Sequence, residues 1–472
     1  MKKTKTNIVY RFFSLLLLGI VAFSFSGCTS SGNSQARDAY TPVRLVFWSV
    51  WDDEFAVQDL IAEYRKIRPN VSIEYRKLRY EEYEREILEA LADDRGPDVF
   101  AVHNTWMERY KERIKPLPSR TVIPIKYITG SIKKEELYDF QVNTSLSPLD
   151  VKRQFLDVVG SDVILNYTDQ TSGAQKVGVF GLPMSVDTLV MFYNKDLLKN
   201  AGIIEPPSNW VDFQEAVKKI TKIDAKTNEI LVSGAALGTS SNVPRNFDIL
   251  SLLMMQNRAP MLNERGNAVF NANLSDGGGT PAIGALEYYV QFASPLYETY
   301  SWNEDMPNAL DAFIQGKTAF YFGYSYNRDT IQAQTKINYN IAPMPQVGDN
   351  QKVNYASYWV NTVSNKSKNS DYSWDFIQFI TKEENVIDYL DRNKKPTALK
   401  STAVINKQLA DEDLYVFADQ LFTATSWYKG INSTAAEEAF AEMIDIVLRG
   451  ELEPQKVLKQ TVDKVNASIR GN

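Results

Sequence analysis

Residues 43–48, Val-Arg-Leu-Val-Phe-Trp, open the stretch that decides the fold, and residues 98–102, Asp-Val-Phe-Ala-Val, close it. The first is a short apolar strand candidate, and Asp52 and Asp53 stand behind it as candidate helix N-caps. Val57, Leu60, Ile61, Tyr64 and Ile67 then fall on one helical face until Pro69-Asn70 stops the helix. Val71 to Tyr75 alternates as a strand with one wetter face. A second helix gathers Tyr80, Ile87 and Leu91, Gly96-Pro97 ends it, and Asp98 to Val102 is a buried-strand candidate. Strands that alternate with helices predict an α/β fold with a largely parallel sheet. In such sheets ligands collect beyond the carboxyl ends of the strands. Two of those ends carry aromatic and polar groups, Trp48 to Trp51 and His103 to Trp106.

Upstream of this stretch, Lys2, Lys3, Lys5 and Arg11 precede an apolar run from Phe12 to Phe25, then Ser26, Gly27 and Cys28. The run is shorter than the roughly 20 residues that cross a bilayer, so residues 1–27 read as an export signal that is removed. Phe25-Ser26-Gly27-Cys28 resembles the lipobox of bacterial lipoproteins, with Phe25 in place of the usual Leu. That resemblance implies lipidation of Cys28 and a membrane anchor on the extracytoplasmic face. Thr29 to Ala36 is rich in Ser, Gly, Asn and Gln, and residues 28–42 are expected to form a flexible tether.

Composition narrows the function. The 472 residues carry a net charge of -6, which argues against nucleic acid as a partner. One cysteine and one histidine exclude an internal disulfide, a cysteine-based zinc site and a multi-histidine metal site. No cofactor is implied, and a carboxylate Ca²⁺ site is left open. The sequence holds no Gly-x-Ser-x-Gly elbow and no His-Glu-x-x-His pair. Gly316-Lys317-Thr318 imitates the end of a phosphate-binding loop, but Asp311 stands where that loop needs glycine.

Between Pro116 and Thr171, Pro, Gly, Asp and Ser interrupt every apolar run, and loops with short helices are expected. Further on, Val177 to Pro183 and Leu189 to Tyr193 are patterned. A helix then presents Trp210, Phe213, Val217 and Ile220 to the core. Ala309 to Ile314 is helical, Gly316 caps it, and Thr318 to Phe322 is a strand. Trp374 to Leu390 and Ala435 to Leu448 read as long amphipathic helices. A last helix starts at Pro454 and shows Val457, Leu458, Val462, Val465 and Ile469 on one face.

Five blocks in this order resemble the extracellular solute-binding proteins of ABC sugar importers, the family that includes maltose-binding protein. They are Phe47-Trp48 with Leu60 to Tyr64 and Pro69-Asn70-Val71; Gly96 to Phe100; Phe180 to Pro183 with Tyr193 to Leu197 and Pro206 to Trp210; Phe313 to Phe320; and Gly450 to Val465. Residues 120–174 match poorly, and Tyr355-Ala356-Ser357-Tyr358-Trp359 replaces the family's Gly-rich run. The resemblance implies a two-lobed, type II periplasmic-binding-protein-like fold with a hinge and an interlobe cleft. Lobe 1 is expected to span residues 43–180 and 357–395, and lobe 2 residues 181–356 and 396–472.

It also implies a monomeric, lipid-anchored receptor that captures a carbohydrate and delivers it to the transmembrane subunits of an ABC permease, without chemistry on the ligand. A peptide or other polar solute is the alternative ligand, and a glycoside hydrolase or a surface sensor the alternative role. Sugars need flat aromatic walls and several hydrogen-bonding groups. Trp51 and Asp52 follow the first strand, and Asn104 follows the third, beside a structural His103 and a Trp106 that fits either wall or core. Trp302, Tyr324 or Tyr326, Tyr358, Trp359 and Trp427 are the further wall candidates. Asp187, Ser241 and Asn242 are the polar ones, and Trp48 and Trp210 are assigned to the core.

Overall fold

The computed structural model describes residues 33–169, 172–275, 277–348 and 351–471. The export segment and Cys28 lie outside the described residues. The chain divides into two units, Met1–Pro42 with Val122–Asn143, and Val43–Thr121 with Thr144–Asn472.

In the smaller unit, Ser34–Ala39 is a helix inside the span read as a tether. The Asn33 side chain accepts from the Gln35 and Ala36 amides at 3.1 and 3.3 Å, satisfying two orphan donors of the first turn. Arg120–Thr129 and Glu135–Thr144 pair as a two-stranded sheet where loops and short helices were expected. Val122, Ile123, Ile125, Tyr127 and Ile128 supply strand propensity. Pro124 is tolerated because a strand in so narrow a sheet has an open edge.

The larger unit holds two principal sheets. In one, the strand order is Trp359–Val363, Val99–His103, Val43–Ser49, Val71–Lys77; the last three run parallel and the first is antiparallel to its neighbour. Val57, Leu60 and Tyr64 of the helix Glu54–Ile67 and Ile87 and Leu91 of Tyr80–Ala92 are buried, as their spacing predicts, and Tyr83 is buried with them. Ile67 and Tyr80 are instead exposed, at the ends of those helices. Asp53 occupies the first N-cap by position only, with no side-chain cap bond.

The other sheet runs Lys222–Ile223, Ile230–Ala235, Thr318–Gly323, Val190–Asn194, Tyr339–Ala342, and only Ile230–Ala235 and Thr318–Gly323 are parallel. The expectation of a largely parallel sheet therefore holds for the first sheet and not for this one. Trp210, Phe213, Val217 and Ile220 pack into its core, and the helix Asn246–Gln256 is buried almost all round. Gly316 adopts φ +71° after the helix Ala309–Ile314, the left-handed position where a side chain is strained. Trp374 to Leu390 is two helices, Ser370–Ile380 and Glu383–Arg392. Lys382 between them is extended, and Glu383 and Glu384 suit the start of a new helix.

The chain passes from one sheet to another at Tyr358. Asn354–Ser357 belongs to a small sheet with Ala424–Thr425 and Asp187–Thr188, and Trp359–Val363 belongs to the first large sheet. A second pass lies alongside, where Leu182 bridges Asn361. A Cβ at Gly181 would sit 2.4 Å from Val360 Cγ1 and 2.8 Å from the Asn361 carbonyl, so this approach needs glycine.

Candidate functional site

The carboxyl ends of both sheets face a common cavity of about 250 Å³. Trp51 arrives just after the strand Val43–Ser49 and His103 ends Val99–His103. Trp359 stands beside His103 because its strand pairs with that one in antiparallel register. From the other lobe, Ser325 and Tyr326 follow Thr318–Gly323, and Asp187 precedes the antiparallel Val190–Asn194. All of them line the cavity.

Two aromatic assemblies border it. Tyr80, Trp51, Tyr326 and Tyr324 make a column, with successive ring centroids 5.8, 5.0 and 5.8 Å apart and planes within 22° of parallel. Trp51 belongs to one lobe and Tyr326 to the other, so the stack spans the cleft. Trp359 is held on its edges by Tyr83, His103 and Trp106, at 5.6, 5.5 and 5.4 Å.

The polar groups are placed by short networks. Asp187 accepts from the Ser325 amide at 2.9 Å, the Ser325 hydroxyl at 2.6 Å and the Thr188 amide at 2.9 Å. Burial nevertheless pushes its carboxyl up to about 6. Asp52 accepts from the Tyr389 hydroxyl at 2.8 Å and pairs with Lys395. Asp248 accepts from the Tyr324 hydroxyl at 2.8 Å and lies 3.4 Å from Arg245, and burial raises its carboxyl as well. His103 contacts the Thr105 and Ser357 hydroxyls at 2.8 and 3.0 Å. Burial and then the nearby Arg245 lower its ring to about 3, so it is neutral near pH 7. Tyr355 also lines the cavity; it is 2% exposed and its hydroxyl has no hydrogen-bond partner among the described residues.

Among the residues singled out from sequence, Trp51, Asp52, Asp187, Tyr326, Tyr358 and Trp359 line this cavity. Six others do not. Trp302 is fully buried, its indole donating to Asn242 at 2.8 Å, and Asn242 in turn holds the Asn303 and Met306 carbonyls. Ser241, next to Asn242, is exposed outside the cavity. Trp427 is core, donating to Ser251 at 2.9 Å, and Tyr324 is buried beneath Tyr326. Asn104 is turned inward, donating to Asp162 at 3.0 Å.

Asp162 also accepts from the Tyr358 hydroxyl at 2.6 Å and the Ser426 hydroxyl at 2.7 Å, and pairs with Lys429. Asn104 and Tyr358 thus belong to a buried polar knot at the lobe crossing, although one edge of Tyr358 reaches the cavity. Sequence reasoning missed Tyr80, Arg245, Asp248, Tyr355, Tyr389, Lys395 and Glu437 as lining residues. Tyr80 carried a signal as an aromatic starting a helix close after a strand, and the others come together only through tertiary contacts. Among the described residues no cluster of three or more His, Cys, Asp or Glu could hold a metal, and no helix is long and apolar enough to cross a membrane. What this arrangement offers is flat stacking surface, carboxylates and hydroxyls, which recognise a polyhydroxylated ligand with apolar C–H faces.

Comparison with known proteins supplies the lineage. The family described as bacterial extracellular solute-binding protein matches residues 52–387. The galactooligosaccharide-binding protein of Bacillus subtilis (strain 168) is 21% identical over 476 residues, covering 96% of this chain and 96% of its own. A maltooligosaccharide ABC transporter solute-binding lipoprotein of Streptococcus pneumoniae (strain ATCC BAA-255 / R6) is 25% identical over 229 residues, 46% of this chain and 49% of its own. The crystal structure of a cyclic alpha-maltosyl-1,6-maltose binding protein from Arthrobacter globiformis superposes with a TM-score of 0.70 at 17% identity, over 91% of this chain and 100% of that one. The two-lobed fold implied by the five sequence blocks is the fold observed.

Proposed function

The chain belongs to the bacterial extracellular solute-binding proteins, and on that premise we propose that it captures a carbohydrate between its lobes for an ABC permease. The observation that carries the ligand class is the aromatic lining of the cavity, Tyr80, Trp51 and Tyr326, flanked by Asp52 and Asp187. Stacked rings match the apolar faces of pyranoses, and carboxylates accept from paired hydroxyls. The names of relatives that bind galactooligosaccharides and maltooligosaccharides agree with that chemistry.

Solute-binding proteins are not enzymes, and the lining residues have work to do in binding alone. Micromolar capture corresponds to about -8 kcal/mol, within reach of a few stacked rings and a hydrogen-bond network after ordering costs. The lobes separate and close about the crossing at Tyr358, as a hinge whose closed state gains contacts to ligand. Within the larger unit, the sheet that holds Val43–Ser49 belongs to one moving body and the sheet that holds Val190–Asn194 to the other. Acylation at Cys28 retains the monomeric receptor on the outer face of the cytoplasmic membrane.

A thermal-shift screen of mono- and oligosaccharides, with peptides and amino acids as controls, tests the ligand class. A ligand that binds only the folded chain raises its melting temperature. A shift with saccharides supports the reading, and a shift with peptides alone replaces it with a peptide receptor.

A further inference from the structure

The smaller unit presents an apolar tip that nothing among the described residues covers. Ile132, in the turn between Arg120–Thr129 and Glu135–Thr144, is 100% exposed, and Ile128 and Tyr127 beside it are 62% and 44% exposed. Lys133 and Lys134 follow at once. Two isoleucines and a tyrosine with flanking lysines are the side-chain set of a membrane interface, where apolar groups enter the headgroup boundary, Tyr sits at its level and Lys reaches back to water.

The same unit holds the start of the described chain against this hairpin. The Asn33 amide donates to the Tyr138 carbonyl at 3.1 Å, the Tyr40 ring meets the Tyr138 ring edge-on at 5.6 Å, and the Arg37 guanidinium lies 6.0 Å from the centre of that ring. Cys28 is five residues before Asn33, a stretch that spans at most about 18 Å. Ile132 is six residues before Tyr138, at most about 22 Å along the chain. An acyl chain on Cys28 therefore brings the bilayer surface within reach of the tip.

We propose that the hairpin tip, Tyr127, Ile128 and Ile132, docks on the lipid surface to which Cys28 is anchored. The proposal goes beyond carbohydrate capture and rests on acylation of Cys28. With the hairpin seated, the tethered protein contacts the membrane at two points, the acyl group and the tip.

The test uses the full acylated chain carrying Ile132→Cys, whose thiol is the only free one once Cys28, the single cysteine, is acylated. An environment-sensitive fluorophore on that thiol is followed in phosphatidylcholine–phosphatidylglycerol vesicles with and without brominated acyl chains. The expected result is a blue-shifted emission, quenched at least twofold by the brominated lipid, with the quenching lost when Ile128→Asp is added. Flotation of the vesicles reads the anchor separately. Protein that floats while its label stays water-exposed and unquenched overturns the docking and leaves the anchor standing. Protein that does not float removes the premise and overturns the docking with it. Saccharide binding by the same preparation is a third, independent readout.

Discussion

Trp51 and Tyr326 stack across the cleft with ring centroids 5.0 Å apart and planes 13° from parallel. One ring follows the first strand of one lobe and the other opens a helix of the second lobe, so this contact exists only while the lobes are together. Offset aromatic pairs contribute about 0.5–1.5 kcal/mol beyond their buried area.

Trp51→Ala should therefore weaken saccharide binding about tenfold with little loss of stability, since Trp51 is 41% exposed. Trp51→Phe should restore most of the affinity. Calorimetric titration against urea unfolding of the same variants separates the two quantities. Trp359→Ala is a poorer probe, because it removes a ring packed by Tyr83, His103 and Trp106 and should cost about 3 kcal/mol of folding stability.

Tyr355→Phe should move affinity and stability in opposite directions. The hydroxyl is buried, lines the cavity and has no partner among the described residues, so deleting it relieves an unsatisfied group and should leave the urea midpoint unchanged or raised. A ligand hydroxyl that pairs with it would be lost, weakening binding by about 1 kcal/mol, roughly fivefold. Lower stability with unchanged affinity would make Tyr355 a packing residue only.

Asp162 gathers Asn104, Tyr358, Ser426 and Lys429, and it is 1% exposed. Removing one partner of a buried pair strands the other, at a cost of about 3–5 kcal/mol. Asp162→Ala should therefore lower the unfolding free energy by roughly that amount, whereas Tyr358→Phe should cost about 1 kcal/mol. Chemical denaturation measures both, and equal effects would contradict the central place given to the carboxylate.

Acid should act on the cavity through two groups with opposite sign. His103 titrates at about 3 in the folded chain against about 6.5 unfolded, so its contribution is present above pH 6.5 and is lost as the pH falls toward 3. Asp187 titrates at about 6 folded against about 3.9 unfolded. The unfolded chain ionises first, and stability falls as the pH rises from 4 to 6. His103→Asn should flatten the acid limb of a stability–pH curve. Asp187→Asn should gain on the parent chain between pH 4 and 7, measured by urea titrations across that range.

The βαβαβ opening was legible because each strand and helix declared itself by a single periodicity and was closed by Pro69-Asn70 or Gly96-Pro97. The hairpin Arg120–Thr144 was not, because Pro124 and Gly130 read as breaks when a two-stranded edge accommodates both. At the cavity, Trp51 and Asp52, just past the first strand, and Trp359, at the expected hinge crossing, were found from sequence. Trp302 and Trp427 were expected there on residue type alone, but a buried indole is satisfied by one partner, Asn242 or Ser251, as readily as by a ligand. Arg245, Asp248 and Lys395 could not be found, because their positions follow from long-range packing and not from any local pattern.

The most direct test of the account is calorimetric titration of the chain beginning at Thr29 with neutral oligosaccharides, run in parallel on Tyr326→Ala. The account predicts a saturable, one-site isotherm for at least one oligosaccharide, with an affinity about tenfold weaker in the variant. A saccharide isotherm unchanged by Tyr326→Ala, or binding of peptides in place of saccharides, would contradict it.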